Sequence, residues 1–271
     1  MTKKTIENPF ENMTALPFGK AVTKDDIFSY SQLEEVKQML GLALGSRSMS
    51  AVLGESGVGK TTAVCTVTDE LPTNKFQVLY LGQDQDGGNL LRRLAMSLGL
   101  KPRQFRKQTL LQVSQFLADN LIEQSKHIVV VIDEAHLLDS STLEDIRLLT
   151  NTDFDRISPV TVILTGQLPL RTRLKSPGYE ALNQRLRFRY ALEGFSEKET
   201  ADYIAHHLRL VELPDDLFSP KAVRAIFLYS RGILREINNL SLLSLLKAKN
   251  QELTSIDEKL VKQVIDQREL N

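Results

Sequence analysis

A single cysteine, Cys65, stands in 271 residues, so the chain has no internal disulfide and fits a reducing compartment. Nothing in the sequence supplies that thiol with a partner for redox or nucleophilic work, and it reads as a packing residue on the helix that carries it. No apolar run approaches the ~18–20 residues that cross a bilayer, and Met1-Thr2-Lys3-Lys4 opens no signal-peptide core. A cytoplasmic protein with no membrane partner is the expectation. Internal repeats and low-complexity stretches are missing as well. Net charge is zero, from 34 basic and 34 acidic residues, yet acidic residues are absent from one long stretch and nearly so from another. Between Gly87 and Ala118 none opposes Arg92, Arg93, Lys101, Arg103, Arg106 and Lys107. Between Ile157 and Leu192 only Glu180 opposes six arginines and lysines. A neutral total therefore leaves room for a local anion-binding surface.

What is present is ample for a core: 42% of residues are hydrophobic and 25% charged. Three parts are legible. Residues 1–45 form a lead-in, with Asn8-Pro9-Phe10, Leu16-Pro17-Phe18 and then a helix opened by the capping box Ser31-Gln32-Leu33-Glu34. Residues 46–192 alternate strand and helix, with strand candidates at 50–53, 77–81, 128–132, 160–165 and 188–192. Three of these runs are almost wholly apolar, as parallel strands covered on both faces require. Helical patterns at 89–98, 109–123 and 141–149 lie between them, which predicts a doubly wound α/β arrangement. Residues 193–271 carry only helical patterns, with a capping box at Ser196–Glu199 and the start signal Ser219-Pro220.

The strongest chemical signal is Gly54-Glu55-Ser56-Gly57-Val58-Gly59-Lys60-Thr61-Thr62. It follows an apolar run and precedes a helical pattern, the setting the phosphate-binding loop needs. Its glycines let backbone N–H groups curl around a polyphosphate at a helix N-terminus. Lys60 would reach the β/γ-phosphates of ATP, and the Thr61 hydroxyl would ligate Mg²⁺. A plain Gly turn is the competing reading, and a second signal argues against it. The run Ile128–Ile132 ends in Asp133-Glu134. Asp133 would face the metal, and Glu134 would reach past it as general base to an attacking water.

Asp133-Glu134-Ala135-His136 also spells a helicase box, but that family needs two lobes and this length supplies one. His136 reads instead as a loop or helix-start residue. Thr165 and Gln167, two apart at the end of an apolar run, would share a face toward the γ-phosphate or the attacking water. Arg185 stands just before the fifth strand, and Arg235 follows Gly232-Ile233-Leu234 at a helix start. Each arginine alone reads equally as a surface ion pair. Arg187 and Arg189 alternate with Phe188 and Tyr190 and read as an ordinary strand face. His206-His207 lack metal-spaced partners, and His127 reads as a loop residue. Phe28 and Tyr30 read as core or hinge packing, with an adenine-facing role as the alternative.

Taken in order, these elements resemble the sensor-1, arginine-finger and sensor-2 set of AAA+ ATPases. The resemblance covers nearly the whole chain. It implies a P-loop α/β fold with a five-stranded parallel sheet and a small C-terminal all-helical lid. It also implies ATP hydrolysis with Mg²⁺, Arg185 acting on a neighbouring copy's nucleotide and Arg235 on its own. Within that family the chain is similar to the ExeA-type group, through Asp133–Leu138, Leu143–Asn151, Leu164–Leu170, Gln184-Arg185-Leu186, Gly232–Asn238 and Asn8-Pro9-Phe10. It departs from that group at His136, where Gln is frequent, and at Leu234, where Pro is frequent.

In size and layout the chain looks like transposon-encoded ATPases of the MuB, TnsC and TniB type. That likeness implies a homo-oligomeric filament or ring on duplex DNA that recruits a transposase. An ExeA-type secretion-assembly ATPase and a helicase-loader-like remodeller remain open. A metabolic kinase is disfavoured by the arginine before the fifth strand and the helical tail. DNA contacts are expected from Asn89, Arg92, Lys101, Arg103, Arg106 and Lys107, through phosphates and without base readout. A solvated loop is the plainer reading of that stretch.

Overall fold

The computed structural model describes residues 16–19, 26–82, 90–151 and 158–269. Asn89, among the expected DNA contacts, and Asn8-Pro9-Phe10 lie outside the described residues. The chain divides into two compact units. One comprises 31–55 and 60–192; the other gathers the segment up to Tyr30, residues 56–59 and everything from Glu193 onward. The helix that follows the lead-in therefore belongs with the α/β unit.

In the α/β unit five parallel strands form one sheet: β1 (Met49–Gly54), β2 (Phe76–Leu81), β3 (His127–Ile132), β4 (Val160–Gly166) and β5 (Leu186–Leu192). Their order is β2-β3-β4-β1-β5, and every pairing is parallel. Burial follows position. Every residue of β1 and β4 is buried, and β3 is buried after His127. The edge strand β5 alternates, exposing Arg187 and Arg189, as a half-covered edge should. His127 belongs to β3 rather than to a loop. Its Nε2 sits 2.8 Å from the Thr161 hydroxyl on the next strand. Burial and the nearby Arg47 guanidinium hold its pKa at about 4.

Helix α1 (Ser31–Gly45) packs on β5, β1 and α2 (Lys60–Thr68). Helices α3 (Leu90–Ser97), α4 (Arg106–Ile122) and α5 (Ser140–Leu149) follow β2 and β3, and Leu94, Leu117 and Leu143 seal the core there. α5 starts where Asp139 accepts from the Thr142 amide at 2.7 Å, a cap worth roughly 1 kcal/mol. Two short helices, α6 (Pro169–Leu174) and α7 (Glu180–Arg185), fill the stretch before β5.

The helical unit is built from α8 (Glu197–Arg209), α9 (Pro220–Ser230), α10 (Leu234–Asn250) and α11 (Glu258–Glu269). Both start signals are realised. Ser196 and Glu199 cap reciprocally, and Ser219 accepts from the Ala222 amide at 3.3 Å with Pro220 beginning the helix. Phe28 and Tyr30 pack edge-on against Phe195, and Phe28 also meets Tyr203, so core packing accounts for both. His207 is buried between the rings of Phe18 and Tyr203. Desolvation, reinforced by His206, holds its pKa at about 4. No helix among the described residues is long and apolar enough to cross a membrane.

Candidate nucleotide site

Strand order sets the place of the chemistry. The chain leaves β1 for the far edge, returns through β3 and β4, and then crosses to β5 on β1's other side. Such a switch point opens a crevice at the carboxyl ends of the strands, where ligands of open α/β sheets bind. Because all strands are parallel, the segments after β1, β3 and β4 emerge together there. Register fixes their spacing: Leu53 pairs with Gly166, and Ile132 with Leu164.

After β1 come Gly54 to Gly59, and α2 begins at Lys60. Lys60 is 5% exposed, an unusual depth for a lysine that only strong partners sustain. Its ammonium donates to the carbonyls of Gly54 at 3.1 Å and Glu55 at 2.8 Å. Thr61 and Thr62 are exposed on the first turn of α2, beside the half-buried Gly57 and Gly59 and the buried Val58. Cys65, one turn further, is half-buried, and burial with nearby Asp69 raises its thiol pKa. A raised thiol pKa makes it a poor nucleophile.

After β3 the two carboxylates part. Asp133 is held from three sides: Thr61 Oγ1 donates to Oδ2 at 3.0 Å, while the Glu134 amide (2.9 Å) and the Thr165 hydroxyl donate to Oδ1. These three hydrogen bonds fix its rotamer. Glu134 takes a left-handed backbone, φ 53°, uncommon outside glycine and a mark of a locally enforced turn. Its side chain is 38% exposed, with Oε2 3.3 Å from His136 Nδ1.

Thr165 is fully buried and committed to Asp133. It does not share an outward face with Gln167, because β4 ends at Gly166 and alternation ends with it. Gln167 is half-buried in the following turn. His136 lies in a short 3-10 turn, Ala135–Leu137, as a turn residue should. Its ring nonetheless reaches both Glu134 and Gln167, which its place in the sequence did not announce.

Within the helical unit, Arg235 meets the phosphate-loop segment directly. Its amide donates to the Gly57 carbonyl at 3.1 Å and its Nη1 to the Ser56 hydroxyl at 3.1 Å. Gly57 has φ 82°, and a Cβ there would come 2.7 Å from that of Arg235. Only glycine permits both the turn and the approach. Phe195 N–H donates to Gly232 O at 2.9 Å, anchoring the segment just ahead of α10.

Arg185 is the last residue of α7, with Leu186 beginning β5. Its Nη1 lies 3.4 Å from the Thr150 carbonyl. Burial and the nearby Arg147 cation lower its pKa.

The basic stretch is only partly free. Arg106 donates to Asp145 at 2.8 Å and to the Ser141 hydroxyl at 2.7 Å, so it is a structural clamp rather than a loose cation. Arg92 Nη1 and the buried Thr109 hydroxyl both donate to the Arg103 carbonyl at 3.2 Å. These bonds stiffen the loop between α3 and α4. Lys101 and Arg103 remain exposed on it, as do Lys107 in the first turn of α4 and Arg92 on α3.

The donors around Asp133 suit a hard cation. Thr61 Oγ1 and Asp133 Oδ2 adjoin, and no group of three or more acidic, His or Cys side chains gathers among the described residues. Mg²⁺ is typically held by one or two protein oxygens plus substrate phosphates and water, so this pair fits it.

A family model described as AAA domain matches residues 43–174. General secretion pathway protein A of Aeromonas hydrophila is 31% identical over 189 residues, which is 68% of this chain and 34% of that protein. The chain thus spans about a third of that relative's length. Cdc6p from Pyrobaculum aerophilum is similar in structure, with TM-score 0.67 at 15% identity over 88% of this chain and 67% of its own. The ORC1 protein of Aeropyrum pernix, solved in complex with DNA, gives 0.67 at 12% identity over 89% of this chain and 66% of its own. At such identities the solved structures speak for the fold alone.

Proposed function

We propose that this chain, an ATPase whose residues 43–174 match the AAA domain model, is a DNA-binding protein that assembles on duplex DNA as a filament or ring. Lys60 neutralises the β/γ-phosphates, the loop amides from Gly54 to Thr62 cradle them, and Arg235 reads its own copy's loop. Thr61 and Asp133 would hold Mg²⁺, which would supply positive charge to offset that of the phosphates. Glu134 takes the proton of the attacking water, with Gln167 beside the reacting phosphate. Arg185 of a neighbouring copy completes the site, so that hydrolysis requires assembly.

The observation that carries the DNA reading is the tied loop before α4 that holds Lys101 and Arg103 in solvent, with Lys107 exposed on the first turn of that helix. No carboxylate stands in the described part of the acid-free stretch to oppose them. Phosphate contacts from such a loop give affinity without sequence preference. The likeness to transposon-encoded ATPases makes a transposase the recruited protein.

A second reading, a secretion-assembly ATPase, is favoured by the identity to general secretion pathway protein A. It requires no DNA affinity. Electron microscopy with ATP, with and without duplex DNA, separates the two. Filaments or rings that need both, and that vanish in a folded Arg185→Ala variant, support assembly on DNA. DNA binding indifferent to ATP and to salt overturns it.

A further inference from the structure

The turn after Asp133-Glu134 puts one imidazole nitrogen between two groups that hydrolysis uses. His136 Nδ1 lies 3.3 Å from Glu134 Oε2 and 3.4 Å from the backbone nitrogen of Gln167. The side chain is 13% exposed, so neither contact is a passing surface encounter. The turn is fixed from behind, where Arg173 Nη1 donates to the carbonyls of His136 and Leu138. Arg173 is itself bonded through Nε to the Tyr179 hydroxyl at 3.1 Å. Gly166, at the end of β4, lies against the same turn: a Cβ there would stand 3.7 Å from Nδ1, in ordinary contact, and 3.1 Å from Leu170 Cδ2, which would have to shift.

One nitrogen cannot satisfy both neighbours at once. Carrying a hydrogen, Nδ1 donates to the Glu134 carboxylate; bearing a lone pair, it accepts from the Gln167 amide. Both distances are at the long end for hydrogen bonds, as expected where either contact tightens only when the other is released. We propose that His136 is a positioning residue for ATP hydrolysis, steering the Glu134 carboxylate and tying it to the turn that bears Gln167. Glu134 is half-exposed and reaches out from a left-handed backbone, so without such a partner its carboxylate would sample many directions. Misplacing a general base by an ångström slows proton transfer far more than it weakens nucleotide binding. The inference rests on Glu134 being that base.

The test compares His136→Leu, which fills similar space with no polar atom, and His136→Gln, whose amide can donate to Glu134 and accept from Gln167 together. Steady-state ATPase assays should show kcat about tenfold lower for His136→Leu with KM for ATP nearly unchanged. His136→Gln should stay within about threefold of the parent. In a Glu134→Gln background the Leu substitution should cost nothing further, because there is no carboxylate left to steer. His136→Met takes the place of His136→Leu if that variant does not fold.

Parent-like kcat in the apolar variant overturns the proposal, as does a His136→Gln variant equally slow. An undiminished effect in the Glu134→Gln background overturns it too. Should Glu134→Gln alone leave hydrolysis intact, the base assignment fails first, and that result is visible independently of any change at position 136.

Discussion

At the carboxyl edge of the sheet, Asp133 takes donors from Thr61, Thr165 and the Glu134 amide, and Lys60 is buried against two carbonyls. In the loop between α3 and α4 the Arg103 carbonyl is tied by Thr109 and Arg92, but Lys101 and Arg103 on the loop, and Lys107 at the start of α4, stand in water. The first region spends its polar groups on fixing one another, which is what bond-making chemistry needs from a scaffold. The second fixes only its backbone and leaves its charges mobile, which suits a polyanion read by charge rather than by shape. Arg106 marks the boundary between the two uses: it lies in the basic stretch, yet it is paired with Asp145 and Ser141.

That contrast can be broken at either end. The largest effect is expected from Glu134→Gln, which removes the base but leaves Asp133 and Lys60 in place. Single-turnover hydrolysis should fall roughly 10²- to 10⁴-fold, with nucleotide affinity retained. In the loop, Lys101→Ala with Lys107→Ala should weaken duplex binding uniformly across sequences. The slope of log affinity against log salt should drop by about one per residue removed, measured by fluorescence anisotropy.

Arg106→Ala sharpens the comparison, because it should act on folding instead. Removing its partner strands a largely buried Asp145, costing about 2 kcal/mol in urea unfolding, with the salt slope of DNA binding little changed. The smallest effect concerns acid stability. His207 has a folded pKa of about 4 against an ordinary 6.5, so it favours the native state fully above about pH 6.5. That contribution declines as pH falls from there toward about 4, since only the unfolded chain takes up the proton. His207→Phe should remove about 1–2 kcal/mol of the stability lost between neutral pH and about pH 5, read from urea midpoints at the two pH values.

Much of this was legible in the sequence because it is local. Start signals such as Ser196–Glu199 and Ser219-Pro220 act within one turn, and each appears where its pattern stands. The apolar runs that became β1, β3 and β4 are buried as continuous hydrophobic strands must be. Short elements escaped, since six residues of α6 or α7 span too few turns to show a period. α4 begins at Arg106, after Phe105 with no side-chain cap, and so ahead of any start signal.

At the site, the residues of the phosphate loop and the acidic strand end declared themselves by spacing. Thr165 stands out by sequence for another role, and its bond to Asp133, like that of His136 to Gln167, was not legible, for one reason. Their partners are 32 and 31 residues away in the chain, and become neighbours only once β3 and β4 lie side by side.

The central claim is that nucleotide state at the carboxyl edge governs binding through the basic loop. Duplex-DNA binding by the Glu134→Gln variant, titrated across a salt series with ATP and then with ADP, tests it most directly. Tight, steeply salt-dependent binding with ATP that is lost with ADP is the result predicted. Equal binding with both nucleotides, or none with either, would contradict it.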